Sequence, residues 1–520
     1  MKILDAKTMR EIDRAAMDEY GVHGLQLMEN GGRGVAEAVR RELYACAPDR
    51  VKRVVIATGK GNNGGDGYVA ARHLKNSGLN VTVFSVAPVE ELRGDAALNA
   101  RAWLKMGGEV RTLKSDGDVK ECASPFRHSS VIVDAIFGIG LASPIKGIAA
   151  EVVELINGLA KKVVAVDVPS GIDATTGAVL GCAVRAGVTA TMALPKLGLY
   201  TYPGREYAGR VEIVDIGLPA QLLTDEHIRW NLLCREDVRG LLRPRARDTH
   251  KSACGHLLVI AGSPGKTGAA YMTAMGAMRM GAGLATLALP RGLNAVMEAK
   301  TVEVMTEPLP ESRDGVLDEA SFEAVQRIAK GKTAMAAGPG LGNTEGVHRL
   351  MERMVKEMEA PLVIDADGLN AFIGRLELLK DSRRPMVLTP HPGEAARLLE
   401  ASPSEIQGDR VGAARTLAAM SGAIVVLKGA STVIATPEGD IYINPTGNPG
   451  LSTAGMGDVL AGMIGGLVAQ GYPPLTAACA ATYTHGLAAD RIREARGEAG
   501  MMATDLLPEI PEVLNTLIER

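Results

Sequence analysis

The stretch Arg53-Val-Val-Ile-Ala-Thr-Gly-Lys-Gly-Asn-Asn-Gly-Gly-Asp-Gly67 decides how the first half of this chain is read. Its first six residues are an apolar run of strand length, and a Gly-rich turn comes next, opening a helix predicted over Tyr68 to Asn76. A strand, a Gly-rich turn and a helix in that order build one unit of a parallel sheet. Backbone N–H groups at such a helix start favour an anion. Gly59, Gly61 and Gly64 also satisfy the G-x-G-x-x-G spacing of dinucleotide-binding turns. The acid that normally grips a ribose should end the next strand, yet no Asp or Glu occurs between Asn80 and Val89. An ordinary dehydrogenase is therefore disfavoured.

The same alternation continues along the chain. Apolar runs at Asn80 to Val86, Val131 to Asp134 and Val163 to Asp167 read as strands, and Ala149 to Leu159 reads as a helix. Ahead of them, Thr8 to Arg41 predicts two helices broken at Gly31-Gly32. Strands recur at His256 to Ala261, Leu284 to Leu289, Thr333 to Ala337, Leu362 to Asp365, Met386 to Thr389 and Ile424 to Lys428. The expected fold class is α/β, with two doubly wound halves. A boundary is expected between Ala220 and Lys251, where Arg243 to Lys251 is polar, basic and aperiodic. It gives domains at 1–225 and 226–520. At 520 residues the chain is too long for one core.

Bulk properties exclude several classes. A net charge of -3 offers no field for nucleic acid or an anionic membrane, and 3% aromatic residues leave little for stacking on bases. No long apolar run predicts a membrane span. The six cysteines (Cys46, Cys122, Cys182, Cys234, Cys254 and Cys479) form no Cys-x-x-Cys pair, which disfavours a zinc site and fits a reducing, cytoplasmic setting.

Chemistry concentrates at predicted strand ends. Asp66, Asp134 and Asp167 sit beside Gly-rich turns, and C-terminal strand ends of an open sheet share one crevice. An isolated acid of this kind is more often a helix cap, which three together make less plausible. In the second half stand Gly338-Pro-Gly-Leu-Gly342, Thr389-Pro-His-Pro-Gly-Glu394, Lys428-Gly-Ala-Ser-Thr432 and Asn448-Pro-Gly-Leu-Ser-Thr-Ala-Gly-Met-Gly-Asp458. The last combines a backbone nest for phosphate with an acid at its mouth, the arrangement of phosphoryl transfer by positioning. Otherwise, His391 between prolines shapes a turn, Asp458 complements a helix dipole, and Lys428 to Thr432 is a plain strand-to-turn transition.

Residues 1 to about 220 resemble the epimerase domain of NAD(P)H-hydrate repair enzymes, on Gly61-Asn-Asn-Gly-Gly-Asp-Gly67, Asp134 with Gly138-Ile-Gly140, and Asp167-Val-Pro-Ser-Gly-Ile-Asp173. The implied fold is Rossmann-like. The resemblance implies that Asn62, Asn63, Gly64, Gly65 and Asp66 hold the substrate phosphates. Gly138, Ile139, Gly140, Leu141, Ala142, Ser143 and Pro144 line the substrate, and Asp167 contacts it and moves a proton. It also implies a potassium ion at Asn63, Asp134 and Ser170. The family commonly has Thr where Ile139 stands, so a hydroxyl is missing there.

Residues 248 to 510 resemble the dehydratase of the same family, a ribokinase-like α/β domain, on His250-Lys251, Gly262-Ser263 and the four segments above. The resemblance implies that Gly340, Thr389, Pro390, His391, Pro392, Gly393, Glu394 and Ala395 contact the hydrated nicotinamide nucleotide. Lys428, Gly429, Ala430, Ser431, Thr432, Asn448, Pro449, Gly450, Leu451, Ser452, Thr453, Ala454, Gly455, Met456 and Gly457 hold ADP, and Asp458 is the catalytic base. Ala454 and Met456 replace the usual Gly and Ser. The implied substrates are hydrated NADH and NADPH with ADP as co-substrate and magnesium in the second domain; a homo-oligomer is expected. The alternative is a ribokinase-like small-molecule kinase fused to a non-catalytic dinucleotide-binding domain.

Overall fold

The structure is a computed structural model and describes residues 1–44 and 52–518. Cys46 lies outside the described residues, and the other five cysteines are free thiols. No described helix is long and apolar enough to cross a membrane. The chain divides into two compact units, Lys2–Ile228 and Arg229–Arg520, the latter taking in Met1.

The first unit carries a seven-stranded sheet of β1 (Arg53–Thr58), β2 (Asn80–Ser85), β3 (Val110–Thr112), β4 (Val131–Ala135), β5 (Lys162–Val166), β6 (Val188–Met192) and β7 (Arg210–Val214). Its order is β3-β2-β1-β4-β5-β6-β7, and every pairing is parallel. Strand order reverses between β1 and β4, so the ligand crevice of an open sheet falls at their C-terminal ends. Strands buried on both faces require the continuous Val/Ile/Ala runs seen in the sequence.

Two expectations fail here. Gly31-Gly32 does not break a helix: Gly24–Tyr44 is one continuous helix, and the break lies between it and Ala6–Asp18. The glycines serve close packing instead. A Cβ on Gly32 would lie 2.4 Å from Val69 Cβ and 2.7 Å from the Asp66 carbonyl oxygen. The helix after β1 likewise starts at Asn62, not Tyr68, so the Asn-Asn-Gly-Gly turn is its first turn.

The second unit carries a ten-stranded sheet: β8 (Trp230–Leu232), β9 (His256–Ile260), β10 (Leu284–Pro290), β11 (Met305–Leu309), β12 (Ala334–Ala337), β13 (Leu362–Ile364), β14 (Met386–Leu388), β15 (Ile424–Leu427), β16 (Val433–Ala435) and β17 (Ile441–Ile443). Its order is β11-β10-β9-β12-β13-β14-β15-β16-β17-β8, parallel except where β16 meets β15 and β17. The reversal falls between β9 and β12. The apolar helix Met456–Ala469 packs in the core with Thr267–Arg279 and Pro474–Arg496. The stretch Arg243 to Lys251, expected as a linker, lies inside this unit, because β8 and helix Arg235–Leu241 precede it.

Candidate active sites

In the first unit the topology brings the expected loops to one crevice. Gly61 starts helix Asn62–Asn76 without any side-chain cap, which leaves first-turn N–H groups for a ligand. The close approach of backbone at Gly59 requires glycine. A Cβ on Gly59 would sit 2.0 Å from the Ile136 carbonyl oxygen, and one on Gly138 would sit 2.8 Å from Asn63 Oδ1. Asn63 therefore borders the Asp134–Gly138 turn.

Asp134 is fully buried at the end of β4. Its Oδ2 accepts from the Ser170 N–H at 2.8 Å and its Oδ1 from the Ser170 hydroxyl at 2.6 Å. Burial raises its pKa to about 6 against the lowering effect of those bonds. The Asn63 Nδ2 is buried without a partner. Asn63, Asp134 and Ser170 bring side-chain oxygens to this one turn. Ile139 packs its side chain against the core, while its carbonyl accepts from Arg10 Nη2 at 2.8 Å.

Asp167 follows β5 with φ 64°, a left-handed conformation that Asp tolerates better than most residues. Its Oδ1 accepts from Lys196 Nζ at 2.5 Å, Met192 N–H at 3.1 Å and Thr191 Oγ1 at 3.3 Å. Lys196 is 0% exposed. Two further acids share this field. Burial raises Asp13 to about 6, with Lys196 opposing the shift and Asp167 adding to it. Burial, then Asp167 and Asp13, push Asp66 well above the carboxylate range. The sequence marks neither Lys196 nor Asp13. Pro195-Lys196 follows a strand end, the only local hint.

In the second unit the reversal point is equally crowded. Ser263 Oγ donates to the Gly340 carbonyl at 2.7 Å, and Gly340 has φ 66°. Thr389 is buried at the end of β14. His391 caps helix Pro392–Leu398: its Nδ1 accepts from the N–H groups of Gly393 at 3.0 Å and Glu394 at 3.2 Å. Glu394 answers by accepting from the His391 N–H at 2.7 Å. The turn-shaping role is thus present in His391, and burial with nearby Lys428 lowers its pKa.

The nest is supported from behind by residues the sequence does not reveal. Asp490 accepts from Gly447 N–H at 2.9 Å and Asn448 Nδ2 at 3.0 Å, fixing the loop's entry. His485, held neutral by burial with a pKa of about 4, donates from Nε2 to the Met456 carbonyl at 3.0 Å. Gly455 starts helix Met456–Ala469 with φ 91° and no side-chain cap. Ser431 has φ 50° and a buried Oγ without a partner.

Lys428 stands in the turn expected to hold the nucleotide, and its side chain reaches the nest expected to hold the same nucleotide. Its Nζ pairs with buried Asp365 Oδ1 at 2.6 Å, 3.0 Å from where a Cβ of Gly457 would stand. Asp458 sits in the first helical turn beside it. Burial, then Asp365, raises Asp458 to about 7, while Lys428 opposes the shift. A carboxyl group so poised takes a proton near neutrality and sits where helix and ammonium fields favour an anion.

Residues 24–198 match the family described as YjeF-related protein N-terminus, and residues 257–512 match the NAD(P)H-hydrate dehydratase family. The chain is 42% identical to the bifunctional NAD(P)H-hydrate repair enzyme Nnr of Moorella thermoacetica, over 100% of this chain and 98% of that one. It is 39% identical to the same enzyme of Thermofilum pendens, over 100% and 97%. A crystal structure of the ADP/ATP-dependent NAD(P)H-hydrate dehydratase from Bacillus subtilis, co-crystallised with ATP/Mg2+, is 30% identical. It covers 55% of this chain and 98% of its own, with a TM-score of 0.49. Two catalytic units in this order, related to such enzymes over the full length, place the chain in the family of bifunctional NAD(P)H-hydrate repair enzymes.

Proposed function

We propose that the first unit interconverts the R and S epimers of hydrated NADH and NADPH, and that the second dehydrates the S epimer at the expense of ADP. The observation that carries the dehydratase reading is Asp458, a carboxyl group with a pKa of about 7 at the mouth of an uncapped glycine nest, beside an ammonium. Asp458 removes the proton of the substrate 6-hydroxyl as its oxygen takes the β-phosphoryl group of ADP, releasing AMP. Phosphate then leaves C6 as the ring nitrogen pushes electrons and C5 loses a proton, which restores NAD(P)H. Gly340, Thr389 and the capped Pro392–Leu398 helix start border the hydrated nicotinamide. Lys428 and the N–H groups from Gly455 to Gly457 face the transferring phosphate.

No group of three or more carboxylate, His or Cys side chains forms a metal cage among the described residues. Magnesium would enter the second unit on the nucleotide phosphates, where it would supply positive charge. In the first unit Asn63, Asp134 and Ser170 would hold potassium, which would supply positive charge beside the substrate phosphates. The free described cysteines fit a reducing compartment such as the cytoplasm.

The test is recovery of absorbance at 340 nm when purified protein meets hydrated NADH and a nucleotide. ADP is expected to outperform ATP by about 5- to 150-fold, because an extra phosphate without donors costs about 1–3 kcal/mol. Equal or better use of ATP would refute the donor preference; no recovery with either nucleotide would refute the dehydratase reading.

A further inference from the structure

Three carboxyl groups of the first unit, Asp13, Asp66 and Asp167, feel the field of one buried ammonium, Lys196, and Asp167 is the one in contact with it. That ammonium forms its ion pair with Asp167. It donates to Asp167 Oδ1 at 2.5 Å, the Met192 carbonyl at 2.7 Å and Thr191 Oγ1 at 3.2 Å. Three acceptors match the three N–H bonds of a lysine, so the group is fixed in place. The carboxylate is bound unevenly. Lys196, the Met192 N–H and Thr191 Oγ1 all converge on Oδ1. The side chain keeps 11% of its surface exposed, whereas that of Lys196 has none. The left-handed backbone at Asp167 turns this side chain into the arrangement.

We propose that Lys196 is a positioning residue for epimerisation: it locks Asp167 Oδ1 and thereby reserves Oδ2 as the oxygen that meets the substrate. This rests on the epimerase reading of the first unit. Lys196 cannot touch the substrate itself, being wholly enclosed, so it acts through Asp167. The same contact sorts the three acids. Asp167 is the carboxylate paired with the cation, while Asp13 retains a buried Oδ1 without a partner. A base working from one defined oxygen gains from orientation, and a small misplacement of such a group costs roughly 100-fold.

The test uses the full chain and three variants, Lys196→Met, Asp167→Asn and the double variant, with pure R hydrate as substrate and chromatographic separation of R and S. Dehydration of pure S hydrate reports that the second unit is folded and active, and denaturant unfolding of each variant reports the fold of the first unit, which carries the substitutions. Lys196→Met is expected to lower kcat for R-to-S conversion about 100-fold, with KM changed by less than about 3-fold. A residue serving packing alone would not produce that split. Should the first unit unfold once Asp167 is buried without its partner, the double variant, which carries neither charge, answers that case. If Lys196 acts through Asp167, the double variant matches Asp167→Asn within about 3-fold. A kcat for Lys196→Met within about 3-fold of wild type overturns the proposal. So does a further loss of about 100-fold in the double variant relative to Asp167→Asn. Failure of the wild-type protein to convert R to S overturns the epimerase reading itself, and the proposal falls with it.

Discussion

Asp458→Asn should trade activity for stability, in a way that depends on pH. Asp458 binds its proton more tightly in the folded protein than in the unfolded chain, with a pKa of about 7 against 3.8, chiefly because burial disfavours its charge. For an acid shifted upward, the folded state holds the extra proton between those values, so stability falls as pH rises from about 4 to 7. At 1.36 kcal/mol per pKa unit the full penalty at pH 8 is about 4 kcal/mol, and partial solvent access reduces it to about 2. Asparagine has the same shape and no charge to bury. At pH 8 the variant should therefore unfold a few degrees above wild type. At pH 5 the gap should shrink to about a third, because wild-type Asp458 is then mostly protonated. Dehydration should fall by about 100-fold or more, since the base is gone. Thermal unfolding of both proteins at the two pH values, beside turnover of S hydrate, decides the matter. A variant no more stable than wild type at pH 8, or a gap that ignores pH, would falsify the assignment of a charge-burial penalty to Asp458.

Asp365→Asn removes the neighbouring charge that most raises Asp458 after burial and frees Lys428 from its pair. The acid limb of the dehydration profile, expected near pH 7 in wild type, should move down by about one unit. An unmoved limb, measured from pH 5 to 9, would detach Asp365 from the base. His485→Ala should raise the nucleotide KM about tenfold, because the buried Met456 carbonyl loses its donor; an unchanged KM would show that the nest holds itself. Gly32→Ala should destabilise the first unit by about 1–3 kcal/mol, forcing a methyl against Val69 and the Asp66 carbonyl, while dehydration of S hydrate persists. Wild-type resistance to denaturant in that variant would contradict the packing.

The features legible in the sequence are the local ones. The turns at Gly59–Asp66, Gly338–Gly342 and Asn448–Asp458 announce themselves because glycines, strand ends and acids stand side by side. Lys196, Asp365, Asp490 and His485 do not, since each acquires meaning from a partner distant in the chain, such as Asp365 for Lys428. The short strands β16 and β17 hold three residues each, too few for any periodic signal. Gly31-Gly32 misleads because a glycine that admits a close neighbour looks the same in sequence as one that ends a helix. Arg243 to Lys251 misleads because a polar stretch inside a domain has the composition of a linker.

The placement of β8 has a consequence for how the second unit comes into being. Trp230–Leu232 is the first strand of that unit to be synthesised, yet it pairs with Ile441–Ile443, about 200 residues later. At roughly 5–20 residues per second, a ribosome leaves it waiting about 10–40 s for its neighbour. During that interval β8 is without its sheet neighbour. A fragment begun at residue 257, where the family match starts, omits β8 and leaves β17 as an open sheet edge that invites self-association.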